Sequence, residues 1–366
     1  MNIPYVDLKK QYSYERKKLL KIIDNVLSSG VYVGGKEISK LEAKLAKFCN
    51  SKYAVTFNSG TDALTMALIL CGVKKGDEVI TPPNSFVAST ATIVHIGAKP
   101  VFVDVGSDQS IDPELIERKI TKKTKVIMPV HLTGRVCEMD KILKLAKKFN
   151  LKIIEDSAQS IGSKFKNKSA GSFGDIGCFS THPLKNLNAM GDGGFFVTNN
   201  KNYYLKALSL RSHGIHNRNI IKKFGYVSRM DNLQAAILNF RLNNLKNIIK
   251  KRRRNVQVYL KYLNKKNYFF PEEKDKEFNT YHTFVIQVKN RKKLIKFMEQ
   301  KKISTAIHYP IPIHLQPAAK NLGYQKGDFP KTEKQSNEII TLPINQFLSS
   351  KEIIYICNVF NSFYDK

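Results

Sequence analysis

The stretch YAVTFNSGTDALTMALILC, Tyr53 to Cys71, holds two patterns side by side. Tyr53–Phe57 is a short apolar run that reads as a buried strand, and Asp62–Cys71 reads as a helix. Between them Asn58-Ser59-Gly60-Thr61 is a turn of small residues. The same alternation continues outward. Glu78–Thr81 precedes Ser85–Ile96, Pro100–Val105 precedes Pro113–Ile120, and Lys125–Val130 precedes Met139–Phe149, with Leu151–Glu155 following. Gly174–Ser180 and Gly194–Thr198 read as further strands joined by a loop rich in Gly and Asn. Such alternation predicts an α/β fold with a mostly parallel sheet and helices on both faces.

Beyond about residue 230 the pattern changes. Asp231 to about Leu263 reads as one long helix, its charge run Lys250–Arg254 lining a solvated face or the subunit surface, and Asn264–Lys276 is polar, like a boundary. Thr283–Val288 then reads as a strand, with helices over Lys292–Lys301 and Ile353–Phe363. A chain of 366 residues exceeds one ordinary core. The expected division is a large domain over 1–245 and a smaller C-terminal α+β domain over 246–366.

Composition removes several classes. With 42% hydrophobic and 25% charged residues the chain is ordinary for a globular protein, which excludes disorder, collagen and coiled-coil bias. Its longest apolar run, Ala63–Cys71, falls far short of the roughly 20 residues a spanning helix needs, and MNIPYVDLKKQY lacks an apolar signal core. No membrane partner is expected, and the cytoplasm is the expected location. The cysteines, Cys49, Cys71, Cys137, Cys178 and Cys357, are isolated, which argues against zinc and against a disulfide framework. Lys and Arg number 61 against 30 Asp and Glu, a net charge of +31. The lysines are spread over the whole chain, so drift toward Lys, Ile and Asn explains them better than a nucleic-acid surface. The positive field would help gather a phosphorylated or diphosphate substrate.

In an open parallel sheet ligands sit outside the carboxyl ends of the strands. The Asn58–Leu64 turn opens a helix there, and its free N–H groups and dipole suit a phosphate. Phe86 follows the second strand, His131 and Gly134 the fourth, and Asp156, Ser157 and Gln159 the fifth. Ser180, Thr181, His182 and Lys185 follow the sixth, and Gly191–Gly194 close the loop. Each has an ordinary reading: helix cap, core aromatic, structural histidine, one lysine among many. Together, a phosphate cradle, an aromatic face, a carboxylate and a lysine at one sheet edge are what pyridoxal phosphate requires. The lysine forms a Schiff base, and the carboxylate keeps the ring nitrogen protonated so that the ring acts as an electron sink. No metal site is indicated, because neither His131 nor His182 has ligand-like spacing around it.

These residues resemble the DegT/DnrJ/EryC1/StrS aminotransferases. The likeness runs from IPYVDLKKQY at Ile3 through SSGVYVGGKEISKLEAKLAKFC, NSGTDAL, DEVITPPNSFVASTATI, KPVFVDV, VHLTG and IIEDSAQSIGS. It continues through GSFGDIGCFSTHPLKNLNAMGDGG, SHG, SRMDNLQAAI, IHYPIPIHLQPA and GYQKGDFP to TLPI at Ile344. The resemblance implies fold type I with a seven-stranded sheet, and amination of a nucleotide-diphosphate keto-sugar with L-glutamate as donor. It implies a homodimer whose sites are completed across the interface. By the same resemblance Lys185 is the Schiff-base lysine and proton shuttle, Asp156 pairs with the pyridine nitrogen, and Gln159 lies near the ring hydroxyl. Phe86 stacks on the ring, while Gly60, Thr61 and Ser180 hold the phosphate. His308, Tyr309 and His314 are candidate substrate contacts.

Two positions depart from the family pattern. Val227 stands where an Asn commonly reaches the neighbouring subunit's phosphate, with Asn217, Asn219 or a basic side chain as substitutes, and Thr133 stands where Tyr is frequent. The SRMD and IHYPIPIHLQ…GYQKGDFP segments resemble the branch aminating C-3 of deoxythymidine-diphosphate keto-6-deoxyhexoses more than the C-4 branch. Lys185 argues against the related sugar dehydratases, in which His replaces it.

Overall fold

The structure, a computed structural model, describes residues 1–217 and 219–365. Two N-terminal helices to which the sequence patterns assigned nothing, α1 (Leu8–Ser29) and α2 (Lys36–Phe48), precede the sheet. Asp7 caps α1 by accepting from the Lys10 N–H, and Gly30 ends it at φ 65°. The sheet strands are β1 (Tyr53–Phe57), β2 (Glu78–Thr81), β3 (Lys99–Phe102), β4 (Thr124–Ile127), β5 (Lys152–Asp156), β6 (Ile176–Ser180) and β7 (Gly194–Thr198). Their spatial order is β1-β7-β6-β5-β4-β2-β3, and β7 runs antiparallel to both of its neighbours while every other pairing is parallel. Helices α3 (Gly60–Leu70), α4 (Val87–His95), α5 (Met139–Lys148) and α6 (Lys201–Leu210) connect or cover these strands.

The period of two along each strand divides the core between the two faces. Val55, Phe57, Val126, Ile154, Cys178 and Phe196 pack with residues of α3 and α6. Their neighbours in sequence point the other way. Ala54, Phe179, Phe195 and Val197 pack with α2 and α7 (Asn232–Leu242), and Ile80, Ile127 and Ile153 pack with α5.

Two expected helices take another form. Pro113–Ile120 makes two 3₁₀ turns, Pro113–Leu115 and Glu117–Lys119, because the chain must already turn at Thr121, whose N–H donates to Thr124 Oγ1, to enter β4. The stretch from Asp231 breaks at Asn243 and Asn244, poor helix formers, into α7 and α8 (Leu245–Tyr262).

The C-terminal part holds α8, a three-stranded antiparallel sheet of Tyr268–Phe269, Phe284–Val288 and Ile339–Leu342, and helices α9 (Arg291–Gln300), α10 (Pro330–Glu338) and α11 (Ser350–Tyr364). Tyr259, Phe284, Ile340 and Phe360 are fully buried in its core. Ile3 is buried in that same core and bridges to Ile303, so the N-terminus crosses the proposed division at 245. No helix among the described residues is long and apolar enough to cross a membrane.

The lysine loop hangs from β6, and β6 depends on a glycine. A Cβ on Gly177 would lie 2.2 Å from the Cα and carbonyl oxygen of Gly171, which are backbone atoms with no rotamer to yield. Gly177→Ala is therefore expected to cost about 3 kcal/mol or more, read as a fall in urea midpoint. A midpoint unchanged from the wild type would contradict this packing.

Candidate active site

The carboxyl ends of β1, β5 and β6 border a cavity of about 360 Å³, lined among others by Gly60, Thr61, Phe86, Asp156, Gln159, Ser180, Lys185, His308 and Tyr309. This volume suits a small organic ligand. The sequence patterns scattered these residues over 250 positions, and the sheet edge gathers them.

At β1 the chain turns through Asn58 and Ser59 into α3. Ser59 Oγ accepts from the Asp62 N–H at 3.0 Å, capping the helix and leaving Gly60 and Thr61 at its first turn. A Cβ on Gly60 would sit 2.8 Å from Ser180 Cβ, and one on Gly194 would sit 2.4 Å from Gly60 N. The glycines let three backbones meet, setting a helix N-terminus beside the Ser180 hydroxyl, an arrangement suited to a phosphate.

Asp156 ends β5 and is 5% exposed. Its Oδ2 accepts from Ser89 Oγ at 2.6 Å and its Oδ1 from the Ala158 N–H at 3.1 Å. Each oxygen thus has one donor, with lone pairs left for a cationic N–H. Gln159 is held by the Thr133 N–H donating to its Oε1 at 2.7 Å, and its Nε2 donates to Tyr309 Oη at 3.2 Å. At Thr133 it is therefore the backbone, at φ 61°, that serves Gln159. Phe86 is the half-exposed residue capping α4, with its ring centroid 5.8 Å from that of Tyr309.

Lys185 lies in the loop after β6, its N–H donating to the His182 carbonyl. Burial pulls its amine from 10.5 down to about 8, only partly offset by the Asp156 charge. His308 is drawn down to about 4 by burial and by Lys185, so its imidazole is neutral; its Nδ1 lies 2.9 Å from Thr341 Oγ1. Burial holds the Tyr309 hydroxyl well above its usual range.

Three expectations need correction or refinement. His314 is not at the cavity: its Nε2 lies 3.0 Å from Glu333 Oε1 and its ring meets Phe329 edge-on, so it ties α10 to the preceding loop. The Lys250–Arg254 run is not simply a solvated face. Lys250, Lys251 and Arg254 are exposed, but Arg252 is buried and lines the cavity, and Arg253 pairs with Glu273. Asn217 Oδ1 accepts from the N–H groups of Asn219 and Ile220, capping an exposed hairpin, and Val227 is 57% exposed beside Ser228, whose Oγ donates to Asn58.

The two histidines read as structural differ in setting. His131 is fully buried, with its Nε2 2.9 Å from Glu155 Oε2 and its Nδ1 accepting from the Cys137 N–H. With Nδ1 accepting a backbone N–H, the ring proton facing Glu155 is the one on Nε2. Glu155 is satisfied further by the N–H groups of Gly171, Phe173 and Gly174. His182 is exposed at the cavity mouth, its Nδ1 accepting from the Leu184 N–H.

Sequence reasoning missed Tyr5, Arg252, His282 and Asn345, which also line the cavity. Only IPYVDLKKQY around Tyr5 and the basic run around Arg252 carried any signal.

Known proteins resemble this chain along nearly its whole length. The model of the DegT/DnrJ/EryC1/StrS aminotransferase family matches residues 13–361. A dTDP-3-amino-3,6-dideoxy-alpha-D-galactopyranose transaminase of Aneurinibacillus thermoaerophilus is 38% identical over 99% of both chains. A pleiotropic regulatory protein of Geobacillus stearothermophilus is 36% identical over 100% of this chain and 99% of its own. Among solved structures, DesV of S. venezuelae, determined with a ketimine intermediate, superposes with a TM-score of 0.97 at 33% identity, covering 100% of this chain and 99% of its own. With its sheet, its lysine loop and nearly its whole length accounted for, the chain belongs to the DegT/DnrJ/EryC1/StrS aminotransferase family.

Proposed function

We propose that the chain is a pyridoxal-phosphate-dependent nucleotide-sugar aminotransferase, taking its amine from L-glutamate and delivering it to C-3 of a dTDP-3-keto-6-deoxyhexose. One observation carries the reading: the amine of Lys185, drawn to about 8, and the anchored carboxylate of Asp156 line the same cavity as the glycine-tight turn at Gly60. The residues present fit the cofactor. Gly60, Thr61 and Ser180 would hold its phosphate, Asp156 its ring nitrogen, Gln159 its ring hydroxyl and Phe86 its face. When bound, the cofactor supplies a carbonyl that captures amines and an electron sink for the bond broken beside the nitrogen.

The chain's own residues do the rest. An amine near pH 8 is partly free and partly protonated at neutrality, so Lys185 can take a proton from carbon and return it. Ser89 and the Ala158 N–H hold Asp156 so that its charge faces the cavity and not solvent. Neutral His308 and the Tyr309 hydroxyl stand beside Lys185 as hydrogen-bonding groups for the sugar. Their neutrality avoids adding charge next to the amine.

The C-3 assignment is favoured by Ser228-Arg229-Met230-Asp231 and by the name of the Aneurinibacillus relative, whose product amine is at C-3. The retained Lys185 disfavours a dehydratase. A homodimer is part of the proposal: Phe224 (96% exposed), Tyr226 and Val227 leave apolar surface uncovered in the segment leading to Ser228.

Four tests follow from this reading. Purified protein should show the absorbance of a lysine-bound cofactor, and Lys185→Ala should abolish it; an adduct persisting in the variant would mean another lysine serves. Since only the unprotonated amine attacks a carbonyl, the rate at which apoenzyme captures pyridoxal phosphate should rise with pH through a midpoint near 8; a midpoint at 10.5, that of a free lysine, would refute the buried amine. Gly60→Ala should weaken cofactor binding at least ~10-fold by forcing the turn off Ser180. Incubation with glutamate and a panel of nucleotide keto-sugars then locates the new amine. An amine at C-4 would overturn the C-3 assignment.

A further inference from the structure

The described structure contains three buried arginines, and two of them meet a carboxylate. Arg135 pairs with Glu277 and Arg241 with Glu15. Arg252, 4% exposed, has no such partner among the described residues. Its Nη1 donates to the carbonyls of Tyr281 and His282 at 3.3 and 3.1 Å, and its Nη2 donates to Gln346 Oε1 at 3.4 Å. Its Nε is buried and donates to nothing. A guanidinium withdrawn from water without a counter-charge is expensive, and burial accordingly pulls it down to about 10. It nevertheless lines the cavity that holds Lys185.

Its neighbours sharpen the point. His282 also lines the cavity; its Nδ1 has no partner, and burial together with Lys185 and Arg252 keeps its imidazole neutral. Tyr5 stands near Arg252, and burial holds its hydroxyl protonated. Arg252 is therefore a lasting positive charge flanked by uncharged hydrogen-bonding groups, a setting suited to an anion from solution. The phosphate turn is built from β1, α3 and β6, whereas Arg252 and His282 come from α8 and the segment before Phe284–Val288. The two thus enter the same cavity from different parts of the chain. With both Nη1 N–H groups on carbonyls and one Nη2 N–H on Gln346, the Nε–H and the second Nη2 N–H remain, a two-pronged edge that matches the two oxygens of a carboxylate.

We propose that Arg252, with His282 beside it, binds a carboxylate of the amine donor within the Lys185 cavity. The proposal rests on the aminotransferase reading and adds the residue that makes the donor an acidic amino acid. A carboxylate could also come from a uronic sugar, so the test separates the two sources.

Holoenzyme is titrated calorimetrically with glutarate, a dicarboxylate with no amine to react, and separately with glucuronate and with dTDP. The wild type should bind glutarate. Arg252→Gln should bind it at least about tenfold more weakly, and Arg252→Lys should fall between, while dTDP affinity and cofactor absorbance stay unchanged. Unchanged glutarate affinity in folded Arg252→Gln, or loss confined to glucuronate or to dTDP, would overturn the assignment. If Arg252→Gln does not fold, wild-type glutarate affinity in Arg252→Lys overturns it equally. Lack of cofactor absorbance in the wild type would instead strike the aminotransferase reading, which the glutarate titration does not measure.

Discussion

Two glycines and a serine let three backbones meet at one edge of the sheet, and the site is arranged around that contact. Ser180, the last residue of β6, pairs with Gly194, the first of β7, and Gly60 at the start of α3 lies against both. The antiparallel return of β7 makes the contact possible. It sends the chain back across the sheet, so the loop between β6 and β7 projects over the carboxyl ends of the parallel strands. Lys185 is carried on that loop. The N-terminus of α3 and the amine of Lys185 are placed by the same few ångströms of close backbone packing.

Around this contact the charges are sorted by burial. Desolvation brings the Lys185 amine toward neutrality, holds His282 and His308 uncharged and keeps Tyr309 protonated. Asp156 is tied to Ser89, while the Arg252 guanidinium has no acid beside it among the described residues. Glu155 and His131 lie just behind Asp156 and are fully satisfied by one another and by four backbone N–H groups, so they stiffen the strand end without entering the cavity.

Much of the fold could be read from local pattern because buried parallel strands are short apolar runs and their crossover helices have the other period. β1, β2, β5 and β6 fall within a residue or two of their expected spans. Pattern failed where local propensity gave way to tertiary demands. Pro113–Ile120 has the composition of a helix but the length of a turn. The helix expected from Asp231 breaks because α7 packs with α2 while α8 belongs to the C-terminal core with Val256 and Tyr259. His314 sits in a motif with His308 and Tyr309, yet one turn of chain separates a cavity wall from a strut to Glu333.

Hydrophobic period and turn chemistry are local, so residue order alone settles which elements form and which residue types follow each strand. It therefore revealed the lysine, the carboxylate and the phosphate turn as members of one edge. Which charges are buried and which are solvated depends on packing between distant segments. Arg252 lies in a run of five consecutive cations, and its neighbours Lys251 and Arg254 face water while it faces the cavity. That difference depends on which face of α8 meets the segment before Phe284–Val288. Such a long-range packing contact leaves no trace in the spacing of like charges.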